Sequence, residues 1–168
     1  MGFSQIMSFS ITALACENGW VEGNDASCYK FEMKALASWY DAQKACRAQG
    51  AELAALETIH EIYWMRGYRS EHAALRSTVW TAGFQDKNGA WQWAYNGEAS
   101  PIIAFNWAGG QPDGAGANGK YAKGSACLSL FGEVKHPDAN YHFDDDNCVV
   151  KRGYICEKND IDAKLHNC

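Results

Sequence analysis

Three short stretches hold the residues of this chain best suited to chemistry: Gln111-Pro112-Asp113, then Cys127, then Phe143-Asp144-Asp145 leading to Cys148. The two cysteines can tie the later stretch back to the loop that carries the first. Such a tie gathers the side-chain oxygens of Gln111, Asp113, Asp144 and Asp145 into one surface patch. A patch of that kind can hold a hard cation, which takes oxygen ligands. It can equally hold the hydroxyl and amide groups of a sugar, because carboxylates accept hydrogen bonds and a carboxamide both donates and accepts. Tyr121, Tyr141, His142 and Phe143 are nearby rings against which sugar C–H faces and acetamido methyls can pack.

The elements that must position these residues read as one domain, spanning 16–158, with an extension at 1–15 and a tail at 159–168. Gly19-Trp20 through Phe31 alternates loosely, as an opening hairpin does. Trp39, Ala42, Ala45 and Cys46 recur at helical spacing behind Ser38 as a cap, and Thr58 caps a second helix over about 59–67. Ile62, Tyr63 and Met65 are its candidate core residues. Leu53 and Leu56 are extended, and Val79–Phe84 and Trp91–Trp93 read as strands around an Asn88-Gly89 turn. From Ser100 to Lys123 the composition shifts to Gly, Ala, Pro and Asn: a long irregular loop, of the kind that usually carries function. Cys127–Leu130 and Tyr154–Cys156 close the domain as strands, and Trp20, Trp39, Trp80, Trp93 and Trp107 read as core.

Composition removes several classes. A chain of 168 residues with a net charge of −5 and scattered basic residues does not build a nucleic-acid groove. No run reaches the roughly 20 apolar residues of a membrane span. Seven cysteines, without zinc-finger spacing, point to an oxidising compartment and disulfides. Six can pair internally in a connectivity that spacing leaves open, and Cys168 is the odd one, placed to reach another subunit. Met1–Ala15 is apolar, and Ala13-Leu14-Ala15 resembles a signal-peptidase site, but no Lys or Arg precedes it. The segment reads as retained, with any true leader missing from this numbering. No nucleophile–base pair, HExxH helix or phosphate-cradling loop is present, so the chain reads as a binding protein and not an enzyme. A metal-assisted hydrolase built on the acidic cluster beside His142 is the weakest alternative.

From Cys16 to Glu157 the chain resembles a C-type lectin domain, of the secreted galactose-type found in invertebrates. The resemblance rests on Cys16-Glu17-Asn18-Gly19-Trp20, Trp39 with Ala42 and Cys46, Gly50-Ala51-Glu52-Leu53 and Val79-Trp80-Thr81-Ala82-Gly83. Trp91-Gln92-Trp93, Asn106-Trp107, Gln111-Pro112-Asp113, Cys127, Cys148 and Tyr154-Ile155-Cys156-Glu157 follow in the same order. It implies an α+β fold with two helices, two small antiparallel sheets and a long binding loop. It also implies the pairs Cys16–Cys28, Cys46–Cys156 and Cys127–Cys148, which leave Cys168 for an intersubunit bond.

In that family, loop oxygens hold a calcium ion whose shell is completed by two sugar hydroxyls, and the Pro between them is typically cis. The Gln-Pro-Asp order implies galactose or N-acetylgalactosamine. Two positions depart from the pattern. Ser125 stands where the family has a Glu that binds both metal and sugar, and Phe143-Asp144-Asp145 replaces Trp-Asn-Asp. The resulting expectation is a site of Gln111, Asp113, Tyr121, His142, Phe143, Asp144 and Asp145 for terminal galactose, GalNAc or GlcNAc, with no cofactor required. Calcium on Gln111, Asp113, Asp144 and Asp145 is the alternative. A secreted, disulfide-linked homo- or heterodimer that agglutinates glycan-coated cells in innate defence follows from the resemblance. A relative that binds protein or ice is the competing class.

Overall fold

The two caps read from the sequence each open a helix in the computed structural model of the chain, which describes residues 16–95, 97–116, 119–132 and 141–159. The Ser38 side chain accepts from the Asp41 amide, and α1 (Trp39–Arg47) buries Trp39, Ala42 and Cys46. Thr58 and Glu61 form a reciprocal capping box at the start of α2 (Ile59–Glu71), which satisfies two amides that a helix start leaves bare. α2 runs one turn past the expected end at Gly67. The reason is tertiary: Tyr68 stacks on both Trp64 and Phe31. Arg69, fully buried, donates to the Leu75 and Ser77 carbonyls. These contacts outweigh the ~1 kcal/mol that a helical glycine costs. Ile62 and Met65 are core as expected, but Tyr63 is 59% exposed, because its neighbour Ile62 occupies the inward face and successive helical side chains diverge by about 100°.

Among the described residues, eleven strands follow the order β1 (Val21–Glu22), β2 (Ser27–Ala37), β3 (Glu52–Leu53), β4 (Val79–Gln85), β5 (Trp91–Tyr95), β6 (Glu98–Pro101), β7 (Ala115–Gly116), β8 (Gly119–Lys120), β9 (Ala126–Leu130), β10 (Phe143–Asn147) and β11 (Arg152–Asn159). Nine of them join in one network in which β1-β2-β11-β4-β5-β6 lie side by side, β3 pairs with β11, and β9 links β4 to β10. β7 and β8 form a separate ribbon. The architecture is α+β, as expected, but the sheets are not wholly antiparallel. β11 runs parallel to β4, since it returns to the sheet only after the long loop and the β9–β10 hairpin have reversed the chain. Asn159 continues β11 one residue past the expected domain end.

Among the described residues the disulfides are Cys16–Cys28, Cys46–Cys156 and Cys127–Cys148, the pairing the resemblance implies. They indicate an oxidising compartment. Met1–Ala15 and Cys168 lie outside the described residues. No described helix is long and apolar enough to cross a membrane. Trp39, Trp80 and Trp93 are buried, while Trp20 and Trp107 pack half-buried against the core. The indole N–H of Trp39 donates to the Thr81 carbonyl and that of Trp80 to Ala37 and Val150, so neither large ring strands a donor.

A second acidic cluster lies on the scaffold. Carboxylate oxygens of Asp25, Glu61 and Glu157 converge within 4.8 Å of one another, where the β1–β2 turn, the α2 cap and β11 meet. Glu157 accepts from the Ser27 hydroxyl and the Ala55 amide, each at 2.9 Å. Burial is the main cause that pushes Glu61 up to about 7 and Glu157 up to about 8. Like charges at this spacing are quiet only when they share a proton or face a divalent cation.

Two outcomes follow for stability. Both glutamates are raised above their unfolded values, so the folded state binds more protons. Their contribution is full below about pH 4.3 and is lost as pH rises through 7 to 8. In chelator, the melting temperature should fall by roughly 5 °C or more between pH 5.5 and 8.5, and Glu61→Gln, which keeps the cap, should flatten that slope. Separately, Cys127→Ser with Cys148→Ser opens a loop of sequence separation 21 and should cost about 3 kcal/mol in urea unfolding.

Candidate functional site

β10 sits in the middle of the site, and its own residues are sorted by what surrounds them. Antiparallel pairing sets Asp144 opposite Ser129, Asp145 opposite Leu128 and Asp146 opposite Cys127. Cys148 follows directly and is bonded back to Cys127. Strand alternation puts Phe143 and Asp145 on one face and Asp144 and Asp146 on the other. Phe143 is fully buried, edge-on to Trp93 and Trp107. Its ring fills the core and has no face to give a ligand, contrary to the expectation for this residue.

The long loop is laid against β10 by backbone bonds. Ala108 N donates to the Phe143 carbonyl at 2.9 Å, and Phe143 N donates to the Asn106 carbonyl at 2.7 Å. The chain then passes through the Gln111–Pro112 bond, which is cis as expected. Beyond it the backbone meets Asp145. Asp113 N donates to Asp145 Oδ1 at 3.0 Å and Gly114 N to Asp145 Oδ2 at 2.9 Å. The loop continues through the β7–β8 ribbon, which lies so close to β10 that a Cβ on Gly116 would stand 2.8 Å from Asn147 N. The ribbon delivers Tyr121, whose hydroxyl donates to Asp145 Oδ2.

The structure thus brings Gln111, Asp113, Tyr121 and Asp145 together, the first three at the surface or half-buried and Asp145 beneath them. Asp144 is buried beside them. Desolvation, reinforced by the Asp146 carboxylate and opposed by Arg152, pushes its carboxyl up to about 7. Asp145 is also raised by burial, against the lowering effect of the two loop amides. His142 is half-buried at the base of β10, its carbonyl accepting from Phe131 N at 2.9 Å. Asp146 is buried and paired with Arg152 through Nε at 2.8 Å and through its second guanidinium nitrogen. Arg152 also lies over the Trp80 ring at 5.7 Å. The Asp144-Asp145-Asp146 run therefore forms no solvated acidic turn.

The calcium cage that the resemblance implies does not fit these donors. Gln111 Oε1 accepts from Asp113 N, and Asp113 Oδ1 accepts from Ala115 N, both at 2.9 Å. Both Asp145 oxygens are taken by the loop amides and the Tyr121 hydroxyl, and Ser125 supplies no carboxylate. A calcium ion needs roughly six to eight oxygens. Here Gln111 Oε1, one Asp113 oxygen and both Asp145 oxygens already accept from the protein's own N–H and O–H groups, which leaves Asp113 Oδ2 and the buried Asp144 as the remaining carboxylate oxygens. Among the described residues, the acidic group close enough to hold an ion is Asp25, Glu61 and Glu157, on other elements.

Comparisons with known proteins agree with the fold. A family model for the lectin C-type domain matches residues 35–158. C-type mannose receptor 2 of Mus musculus is 30% identical over 145 residues, covering 85% of this chain and 9% of the receptor. Salivary C-type lectin 2 of Aedes albopictus is 26% identical over 157 residues, covering 91% and 96%. The chain thus spans about a tenth of the length of the receptor relatives and nearly all of the salivary lectin. Among solved structures, a complex of SPL-1 with GlcNAc superposes with a TM-score of 0.68 at 26% identity, over 86% of this chain and 95% of that one. A calcium-independent type II antifreeze protein superposes with a TM-score of 0.65 at 23% identity, over 88% and 96%, a likeness of fold alone. With three disulfides, a cis Gln–Pro bond on a loop docked to β10, and a family match across most of its length, the chain belongs to the C-type lectin domain family.

Proposed function

We propose that this domain is a lectin for terminal galactose, GalNAc or GlcNAc residues that binds its sugar without a required metal ion. The observation that carries the reading is the loop geometry. Asp113, Gln111 and Tyr121 are presented side by side on the family's sugar-binding loop, and the loop is fixed from below by Asp145. One Asp113 carboxylate oxygen is committed to Ala115 N, and the other can accept from a sugar hydroxyl or acetamido N–H. The Gln111 carboxamide N–H2 is a donor for a ring hydroxyl or an acetamido carbonyl. The Tyr121 ring offers an apolar face for the acetamido methyl or the sugar C–H surface. Asp144 lies near enough to feel the Asp113 charge, and Phe143 supports the strand beneath the set from the core. The likeness to SPL-1, seen with GlcNAc, supports the acetamido preference, and the Gln-Pro-Asp order supports the galactose configuration.

A single shallow contact of this kind gives a Kd on the order of 1 mM, about 4 kcal/mol. Cys168, on the 159–168 tail, supplies the second half of the function in this reading. A disulfide-linked dimer, with an identical or a related chain, carries two sites and crosslinks glycan-coated surfaces by avidity. The domain is secreted and acts in innate recognition.

Glycan-array binding and isothermal titration in EDTA should detect galactosides or N-acetylhexosamines, and Asp113→Ala should weaken that binding at least tenfold. Absence of binding to all three sugars, with and without calcium, would remove the reading. Thermal hysteresis in the same sample would then favour an ice-binding role on this scaffold. Cys168→Ser should abolish agglutination while leaving monovalent titration unchanged; a wild-type chain that migrates as monomer on non-reducing gels would end the bivalent mechanism.

A further inference from the structure

We propose that the Tyr121 hydroxyl is a built-in latch that does for this binding loop what a divalent cation would otherwise do. The inference deepens the sugar-site reading and rests on it for the ligand, though not for the latch itself. A loop bearing Gln111 and Asp113 needs something to hold it to β10, because it contains Gly109, Gly110, Gly114 and Gly116 and has little apolar side chain of its own to bury. A metal ion holds such a loop by collecting oxygens from both sides. In this chain the two sides are joined by one carboxylate and three donors. Asp145 on β10 is the carboxylate, fully buried. The Asp113 and Gly114 amides are two of the donors, and the Tyr121 hydroxyl is the third.

The placement of Tyr121 follows from the ribbon. β7 and β8 pair as Ala115 with Lys120 and Gly116 with Gly119, and Tyr121 N donates back to the Gly114 carbonyl at 3.4 Å. Tyr121 therefore re-enters beside the residue whose amide already binds Asp145. The phenol closes a ring of contacts from Asp145 through Gly114 and the ribbon to Asp145 again. A buried carboxylate with three donors is held more firmly than one with two, because each donor removed leaves acceptor capacity unsatisfied away from water.

The latch also sets what a ligand must bring. With both Asp145 oxygens occupied, the sugar cannot use this residue as an acceptor, and Asp113 Oδ2 becomes the acceptor nearest the surface. The ring of Tyr121, anchored at its hydroxyl end, is fixed in orientation as a packing face. Tyr121 is thus a positioning residue through its hydroxyl and a contact residue through its ring.

The two roles separate experimentally with Tyr121→Phe, which removes only the donor, and Tyr121→Ala, which removes both. Amide hydrogen exchange at Asp113 and Gly114, read in EDTA with no sugar present, reports the latch directly. Tyr121→Phe should lower protection of those two amides at least tenfold and weaken GlcNAc or GalNAc binding about tenfold, with the melting temperature of the domain within about 2 °C of wild type. Tyr121→Ala should weaken sugar binding further. In the wild-type chain, adding 5 mM calcium should leave the two amides unchanged.

Wild-type protection and affinity in Tyr121→Phe, with loss only in Tyr121→Ala, would reduce Tyr121 to a packing face and overturn the latch. A tenfold gain of protection on calcium addition to the wild type would overturn it as well, by showing that a cation closes the loop. Because the exchange measurement needs no ligand, lost protection in a chain that binds no sugar would uphold the latch while rejecting the lectin reading.

Discussion

A carboxylate taken out of water must find hydrogen-bond donors, and Asp145 finds three. It lies at the centre of β10 with none of its surface exposed, where a bare ionised group would cost several kcal/mol. Its donors come from residues 32 to 24 positions earlier in the chain, on a stretch too glycine-rich to fold by its own apolar contacts. The need to satisfy one buried carboxyl group thereby becomes the force that shapes the loop. Each donor it recruits removes a degree of freedom from Gln111, Asp113 and Tyr121, the residues left facing outward.

That arrangement works only because β10 is itself immobile. It is paired along its length with β9, which is paired in turn with β4. The Cys127–Cys148 bond fixes the same two strands at their end. Phe143 anchors the other end of β10 between Trp93 and Trp107. The replacement of the family's Trp by Phe at this position preserves a ring in the core, so the substitution keeps the strand seated. The site is therefore rigid from below, held by disulfide and core, and is tied laterally by hydrogen bonds.

Much of this is legible in the amino-acid sequence. The order of cysteines, tryptophans and Gln111-Pro112-Asp113 is specific enough to imply the fold and the pairing, and Ser38 and Thr58 mark helix starts by local chemistry alone. What was not readable is orientation. Gln-Pro-Asp has the same letters whether its oxygens face a ligand or fold back onto Asp113 N and Ala115 N. Asp144 and Asp145 read as site oxygens, and only pairing with β9 shows that both are buried and that their side chains leave the strand on opposite faces. Tyr63 and Ile62 are equally apolar neighbours, and packing decides which points inward. The Asp25, Glu61 and Glu157 cluster joins residues separated by more than 30 positions at each step, with no spacing rule to find it. The Glu61 half of the capping box was its one local trace.

The three consecutive aspartates of β10 also show how a strand can carry charges inward without accumulating them. Asp146 is neutralised by a full positive charge on Arg152, itself packed over Trp80. Asp145 remains surrounded by neutral donors, two amides and a phenol. Asp144, which faces the same side as Asp146, is pushed up to about 7 by burial and by that neighbour, so near neutral pH it is shared between the charged and the protonated form. Only Asp113 keeps an exposed carboxylate in this group. A ligand that meets the loop consequently finds one strong acceptor, one carboxamide and one ring, and no concentrated negative field. Under the proposed function, that set suits a neutral molecule carrying its own donor, acceptor and apolar methyl on adjacent atoms, as an N-acetylated sugar does. A free cation is poorly served by it, since the charges that would have drawn one have already been answered from within the protein.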